Sequence, residues 1–251
     1  MRDILLALAL LVHLTLSAQP VTSPVKKVAI ISLIGDELSV DVYRNRVGTS
    51  LDTNAREVVA LQNPVFDHTA LFAAADAATK LMPHVTFLPL AVPKAGGLLD
   101  PNLLIPDNTN LMVRDTSEAL KQQGFDHVLA ISKHTARAQM RAQDGSLGAG
   151  YVRGLGFYVD NFKWTRRLDT GQYGEGFIAP YAYLKLSLID LSTRAVVREE
   201  ILTASVVQSA ARNNEGLGAW DAMSPTAKTD MLRGFIQSGV SAVTTTLLTN
   251  Q

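Results

Sequence analysis

The sequence predicts a mixed α/β domain built on a single mixed sheet: a strand-helix-strand-helix-strand first half, then an antiparallel meander and a C-terminal helix. Two observations predict it. In the first half, nearly continuous apolar runs alternate with segments of helical spacing, as in parallel strands covered by helices. From Gly150 onward, apolar residues recur at every second position, as in antiparallel strands with one solvated face. One sheet with helices against it is therefore the simplest architecture.

Two strands are predicted before the first helix. Residues 27–34 form a nearly continuous apolar run, which predicts a strand buried on both faces. Residues 38–46 alternate between apolar and polar side chains, which predicts a half-exposed strand. Its polar side comprises Ser39, Asp41 and Tyr43.

Two helices and two further strands complete the first half. Asp67 is expected to cap a helix over residues 67–81. Residues 85–90 then predict a short strand, and residues 111–123 a second helix. Residues 125–132 are again apolar and predict another strand. This order indicates a partly parallel sheet, because parallel strands need helical crossovers between them.

The second half predicts antiparallel strands and a final helix. Residues 151–164, 177–191 and 195–207 all carry period-two patterning, which is typical of a meander. Ser224 and Pro225 supply a capping residue and a favoured first helical residue. The apolar stripe of the helix that follows is Leu232, Phe235, Ile236, Val240, Val243 and Leu247.

The amino terminus predicts an export signal. A basic residue precedes an apolar run over residues 4–16, and the small residue Ala18 follows it, as at a signal-peptidase cleavage site. The run is shorter than the roughly 20 residues that a membrane-spanning helix needs. We expect a signal peptide cleaved after Ala18 and a periplasmic or secreted protein. Residues 19–25 would then be a tether and residues 26–251 one soluble domain without a transmembrane segment.

Charge and composition exclude several functional classes. Lys and Arg number 23, and Asp and Glu also number 23, so the net charge predicts neither nucleic acid nor membrane as a partner. The absence of cysteine excludes disulfides, a thiol nucleophile and thiolate zinc sites. The histidines lack metal-binding spacing, and the glycines near residue 150 do not form a phosphate-binding loop. We therefore expect neither a metal nor a cofactor.

An acidic stretch follows the first predicted strand. Gly35-Asp36-Glu37-Leu38 resembles the opening block of the GDSL (SGNH) esterase family, in which Gly-Asp-Ser-Leu carries the nucleophilic serine. Glu37 stands at the nucleophile position, and no histidine has an aspartate three residues before it. The triad chemistry of that family therefore does not carry over, and no catalytic residue is assigned. The alternative is a hydrolase of another type at an acidic strand end formed by Asp36, Glu37 and Asp41.

A basic, aromatic segment lies in the middle of the chain. Residues 133–169 contain seven basic and three acidic residues, a net charge of +4, with aromatic residues interleaved. One interpretation is a projection within residues 133–176 that contacts an anionic or protein partner. The other is a solvated hairpin whose aromatic rings pack on its own sheet. The candidate partner-binding residues are Arg137, Arg141, Arg153, Lys163, Trp164, Arg166 and Arg167, with Arg137 and Arg141 expected on one helical face.

Three segments carry a resemblance in outline to a known group. They are the strand at 27–35, the helix end and strand at 124–132, and the strand 183–190 that leads through an aspartate into a turn. Together they resemble exported envelope proteins of the TolB amino-terminal and CsgG-like type. The resemblance implies an envelope protein. CsgG-like proteins are lipidated on a cysteine, which this chain lacks, so membrane anchoring and pore formation do not carry over.

Three functions stay open at this point. The first is a non-enzymatic periplasmic protein that binds another envelope protein, an anionic envelope component or a second copy of itself. The second is a periplasmic hydrolase that uses the acidic strand end. The third is a protein that binds a small ligand, although no second α/β lobe is visible in the sequence to close around one.

Overall fold

The computed structural model describes residues 25–35, 37–44, 54–91, 112–166, 171–210 and 218–249. The predicted signal peptide, Asp36 and Arg167 lie outside the described residues. The strands are β1 (Lys27–Ser32), β2 (Glu37–Tyr43), β3 (Asn54–Ala60), β4 (Thr86–Leu90), β5 (His127–Lys133), β6 (Thr135–Arg137), β7 (Met140–Ala142), β8 (Gly145–Leu147), β9 (Tyr151–Arg166), β10 (Tyr173–Asp190), β11 (Val196–Ser205) and β12 (Gln208–Ser209). The α-helices of the described part are α1 (Val65–Leu81), α2 (Arg114–Gln122) and α3 (Pro225–Thr249), and a 3₁₀ helix spans Ala219–Ala222.

Ten strands form one mixed sheet in two tiers, which the long strand β10 joins. Residues 184–190 of β10 pair with β5, and residues 173–183 pair with β9 along the same edge. The lower tier therefore has the order β4-β1-β5-β10-β11, and the upper tier has the order β3-β2-β9-β10-β12. Strand β1 runs parallel to β4 and β5, and β2 runs parallel to β9. The mixed sheet with a C-terminal helix confirms the predicted fold class.

Helices and a hairpin segment cover the two faces of this sheet. Helices α1 and α3 pack on one face and share a core with both tiers. On the opposite face, α2 packs against the lower tier, and the segment β6–β8 packs against the upper tier. The covering segment β6–β8 was not predicted from the sequence. It lies within the basic, aromatic segment at residues 133–169.

Helix α3 confirms its predicted start and stripe. The backbone N–H of Ala227 donates a hydrogen bond to Ser224 Oγ at 3.2 Å, and Pro225 is the first helical residue. Such a cap satisfies one of the four free N–H groups at a helix start. Four residues of the stripe are fully buried against the sheet: Leu232, Ile236, Val240 and Leu247.

Helix α1 corrects the prediction that Asp67 is a cap. The helix begins at Val65, and Asp67 lies inside its first turn. The carboxylate oxygen Oδ1 of Asp67 accepts a hydrogen bond from the backbone N–H of Ile34 at 3.0 Å. The side chain therefore links α1 to the segment after β1, and the helix start uses no side-chain cap.

Strand β2 corrects a second expectation. Its polar side is the more buried one: Ser39 is 8% exposed and Asp41 is 0% exposed. The apolar residues on its other side are only partly buried. Alternation alone does not show which side faces the core, since a polar residue can be buried when partners satisfy it. Strand β3, which pairs with β2 at the sheet edge, was missed.

Gly156 allows β2 to approach β9 closely. A Cβ atom at this position would collide with the backbone carbonyl of Ser39, its neighbour across the parallel pair. We expect Gly156→Ala to lower the free energy of unfolding by about 1–3 kcal/mol, because the two strands must separate. Gly234→Ala, in α3, is the control, since a Cβ there meets nothing within 4 Å. It should raise stability by roughly 0.5–1 kcal/mol. Urea denaturation followed by circular dichroism measures both, and equal effects would contradict the close approach.

Candidate functional site

Glu37, from the predicted acidic strand end, forms an ion pair. Its Oε1 atom lies 2.8 Å from the Nζ atom of Lys133 at the end of β5. The Lys133 side chain is only 12% exposed, whereas that of Glu37 is 43% exposed. The pair lies where β9 replaces β5 as the neighbour of β10. Glu37 therefore neutralises the charge of Lys133, which is largely buried where the neighbouring strand changes.

Asp41 is completely buried and has partners on two other strands. The Tyr181 hydroxyl donates a hydrogen bond to Oδ2 of Asp41 at 2.5 Å. Arg56 Nε donates to Oδ1 at 2.7 Å, and Arg56 Nη2 donates to the carbonyl of Tyr151 at 3.0 Å. Both carboxylate oxygens are therefore engaged, as buried charges require.

The two described acidic residues do not form one site. Glu37 and Asp41 are four residues apart along β2, a distance of about 13 Å at the usual rise of a strand. Each has its own cationic partner, Lys133 or Arg56. The hydrolase that uses these residues stays a prediction.

Three buried tyrosines predict loss of stability in alkali. Burial raises the pKa of Tyr158, Tyr181 and Tyr183, and the charge of Asp41 adds to this at Tyr181. In an unfolded chain, tyrosine ionises at about pH 10. Folding therefore holds these groups neutral, so their contribution is complete below about pH 10 and is lost as the pH rises toward the folded pKa.

We expect the free energy of unfolding to fall above about pH 10, and less steeply in Tyr181→Phe. The same variant should lose about 1.5–3 kcal/mol near neutral pH, because Asp41 loses a hydrogen bond to a charged group. Tyr173→Phe is the matched control, since that side chain is 66% exposed. Urea denaturation at a series of pH values measures the slopes. If the free energy of unfolding falls equally steeply above pH 10 in Tyr181→Phe, ionisation of Tyr181 does not contribute to the loss of stability.

The structure divides the basic, aromatic segment between two places. Arg137 on β6 and Arg153 on β9 lie where those strands pair, at the start of β9. Lys163 and Arg166 lie at the other end of β9. Lys163 lies ten residues after Arg153 along β9, which corresponds to at most about 33 Å.

Arg137 and Arg141 do not share a helical face, which corrects that expectation. Arg137 is on β6, which pairs with β9, and Arg141 is on β7, which pairs with β8. The backbone N–H of Arg141 donates to Ser205 Oγ at 3.0 Å, so this strand is fixed against the end of β11. The four-residue spacing is therefore accommodated by two short strands.

The far ends of β9 and β10 form a two-stranded arm. We define the arm as residues 162–166 and 173–175, in which the strand pairing joins Arg166 to Tyr173 and Trp164 to Glu175. Cross-strand partners share a face, so these four side chains lie on one face. The Arg166 guanidinium lies 5.8 Å from the centre of the Tyr173 ring. Phe162 is 52% exposed, Trp164 is 64% exposed and Tyr173 is 66% exposed.

A β-bulge fixes the base of the arm. The pairing register shifts between Glu175 and Phe177. On the opposite strand, Oδ1 of Asp160 accepts hydrogen bonds from the backbone N–H groups of Phe162 at 2.8 Å and Lys163 at 2.9 Å. Thr165 Oγ1 donates to the carbonyl of Gly176 at 3.0 Å. These bonds hold the extra residues of β9 in place.

The sequence interpretation missed two of the arm's aromatic residues as site residues. The sequence pattern does not single out Phe162 and Tyr173 among the interleaved aromatic residues, whereas Trp164 is one of the candidate partner-binding residues. The available signal was the aspartate before a polar residue, Asp160-Asn161, which is typical of a local side-chain turn. That signal predicts an irregular strand, but it does not show which rings stay exposed.

The fold defines a mixed α/β protein with one curled sheet and a C-terminal helix. No protein-family model matches the sequence, and no curated protein matches it. Within the described ranges, no helix is long and apolar enough to cross a membrane, and no group of three or more His, Asp or Glu residues could hold a metal ion.

Several solved structures are similar over most of the chain. A PelC dodecamer from Paraburkholderia phytofirmans is 13% identical, covers 90% of this chain and 89% of its own, and has a TM-score of 0.33. A putative neuraminyllactose-binding hemagglutinin homolog from Helicobacter pylori is 9% identical, with coverages of 89% and 86% and a TM-score of 0.42. Lipoprotein GNA1162 from Neisseria meningitidis is 12% identical, with coverages of 76% and 88% and a TM-score of 0.27. Likeness at this level is too distant to indicate a function.

Proposed function

We propose that this protein is an exported, non-enzymatic component of the cell envelope that binds another envelope protein through the arm. The observation that supports the arm as the contact surface is the exposure of three aromatic rings on one short hairpin. The observation that supports export is the charged, apolar and small-residue order of the first 18 residues.

Exposed rings on the arm favour the partner interpretation over packing on the protein's own sheet. Trp164 and Tyr173 are each about two-thirds exposed, so their rings bury little area within the chain. Phe162 contacts Tyr43 edge to face, with ring centres 6.4 Å apart, and still remains half exposed. Tryptophan, tyrosine and arginine are the residues that contribute most binding energy at protein interfaces. The arm combines all three.

The charge of the arm favours a protein partner over an anionic surface. Lys163 and Arg166 are its described basic residues, and Glu175 lies on the same face as Arg166. An anionic polymer or membrane surface is recognised by several clustered cations. Here Arg137 and Arg153 lie near the start of β9, whereas Lys163 and Arg166 lie near its other end, so the described basic residues do not form one cluster. A mixed-charge aromatic surface of this kind suits a protein interface with a polar rim.

A photo-crosslinking amino acid at Trp164 should capture a discrete partner in cells. Phe72 on α1 is the matched control position, because it is 67% exposed and Trp164 is 64% exposed. We expect crosslinked species of defined mass from position 164 and none of that mass from position 72. The double variant Trp164→Ala/Tyr173→Ala should weaken binding of the partner roughly 30-fold or more, since the loss of even one hot-spot residue costs about 2 kcal/mol and two such losses need not add.

The masses of the crosslinked species separate the outcomes. A product of one copy plus a different protein supports the proposal. A product of twice the mass of the chain shows self-association instead. Equal crosslinking at positions 164 and 72 would contradict a specific surface on the arm.

Export has its own test. We expect the protein purified from the envelope fraction to begin at Gln19, as determined by amino-terminal sequencing or intact mass. A charge introduced into the apolar run, Leu10→Lys, should leave the chain uncleaved and retained, because the signal needs an uninterrupted apolar core. A protein that begins at Met1 in the cytosol would refute the envelope assignment.

A further inference from the structure

A cavity of about 410 Å³ lies beside the base of the arm, between the end of β2 and the loop that follows β8. Its volume lies within the usual range of sites for small molecules. Residues 146–149 line one side. The other lining residues are four aromatic and two charged ones: Tyr43, Tyr158, Phe162, Phe177, Asp160 and Lys163. Tyr158 and Phe177 are fully buried, so Tyr43 and Phe162 are the aromatic residues with exposed surface here.

Asp160 brings a largely buried carboxylate to this cavity. The residue is 7% exposed, and its Oδ1 atom accepts the two backbone hydrogen bonds that fix the bulge. No residue of the described part of the chain donates a hydrogen bond to its Oδ2 atom. Among the described residues, Oδ2 is not one of the fully buried side-chain atoms without a partner, so it is open to the cavity. A ligand in the cavity can therefore donate a hydrogen bond to this oxygen.

Lys163 supplies a positive charge to the same cavity. Its side chain is exposed and forms no ion pair with any described residue, Asp160 included. Tyr158 is fully buried, and its hydroxyl accepts a hydrogen bond from the backbone N–H of Ala149 at 3.0 Å, which fixes the loop wall. A carboxylate and an ammonium thus border one space.

We propose that this cavity binds a small zwitterion. Its cationic group would lie beside Asp160 and the rings of Tyr43 and Phe162, since ring faces and a carboxylate both attract an ammonium group. Its anionic group would meet the ammonium of Lys163. A simple cation would be repelled by Lys163 and a simple anion by Asp160, whereas a molecule with both charges satisfies both residues.

The inference goes beyond the proposed function, because it concerns a small ligand and does not require the arm to bind a protein. It also differs from the two-lobed solute binding considered from the sequence. The enclosing wall here is the loop after β8, which the Ala149–Tyr158 hydrogen bond fixes to the sheet. A second lobe is therefore not needed to form this site.

The test uses trimethylammonium carboxylates with one, three or five methylene groups between the charges. Isothermal titration calorimetry and amide chemical-shift changes in the purified protein measure their affinity. We expect at least one of them to bind about fivefold or more tightly than tetramethylammonium and than acetate, with shifts centred on residues 146–149 and 160–163. If no zwitterion binds more tightly than tetramethylammonium and acetate, the inference is wrong.

Asp160→Asn and Lys163→Met separate the two charges. In Asp160→Asn, the amide oxygen of the new side chain can still accept from the N–H groups of Phe162 and Lys163, so the bulge should persist. We expect each variant to weaken zwitterion binding about fivefold or more. Asp76→Asn and Lys80→Met are the matched controls, because that exposed pair lies on α1. Equal affinity in the site and control variants would overturn the assignment. Crosslinking at Trp164 tests the proposed protein partner separately, so the two proposals can fail independently.

Discussion

The pairing of β10 is the constraint on which the rest of the structure depends. This 18-residue strand supplies side chains to all three cores. Leu184 and Leu186 face the helices, Tyr181 and Tyr183 face the β6–β8 segment, and Ile189 lies beneath α2. Because side chains alternate between faces, a register slip of one residue would place tyrosines under the helices and leucines against the hairpin segment.

The tyrosines on β9 and β10 connect the upper tier to the segment that covers it. Tyr183 accepts from the backbone N–H of Gln139 and donates to its carbonyl, both at 3.1 Å. The Tyr158 hydroxyl accepts a hydrogen bond from the backbone N–H of Ala149, and the Tyr181 hydroxyl donates one to the carboxylate of Asp41. A core of phenylalanines would fill the same space but leave these backbone and carboxylate groups unsatisfied. The polar tips of the rings therefore position the wall of the cavity.

Elements whose pattern is local were predictable from the sequence, and those that depend on distant partners were not. Helix α3 has a cap, a proline and a stripe within one segment. Strand β3 carries Arg56 and Glu57 without a regular alternation, and its place follows from pairing with β2. The pattern of β2 predicts that Asp41 is exposed, because its partner Tyr181 lies 140 residues away and the local sequence does not reveal it. The basic residues of the segment 133–169 are likewise close in sequence but not in space, because the length of β9 separates them.

The arm combines a fixed base with an unsupported outer face, and this combination favours binding at low entropic cost. The bulge at Asp160 and the Thr165–Gly176 bond order its backbone in the free protein. Trp164 and Tyr173 each have only two side-chain torsions to restrict on binding. A partner would therefore gain ring contacts on strand ends whose backbone is ordered by these bonds, and that part of the ordering cost which usually offsets such contacts is already met by folding.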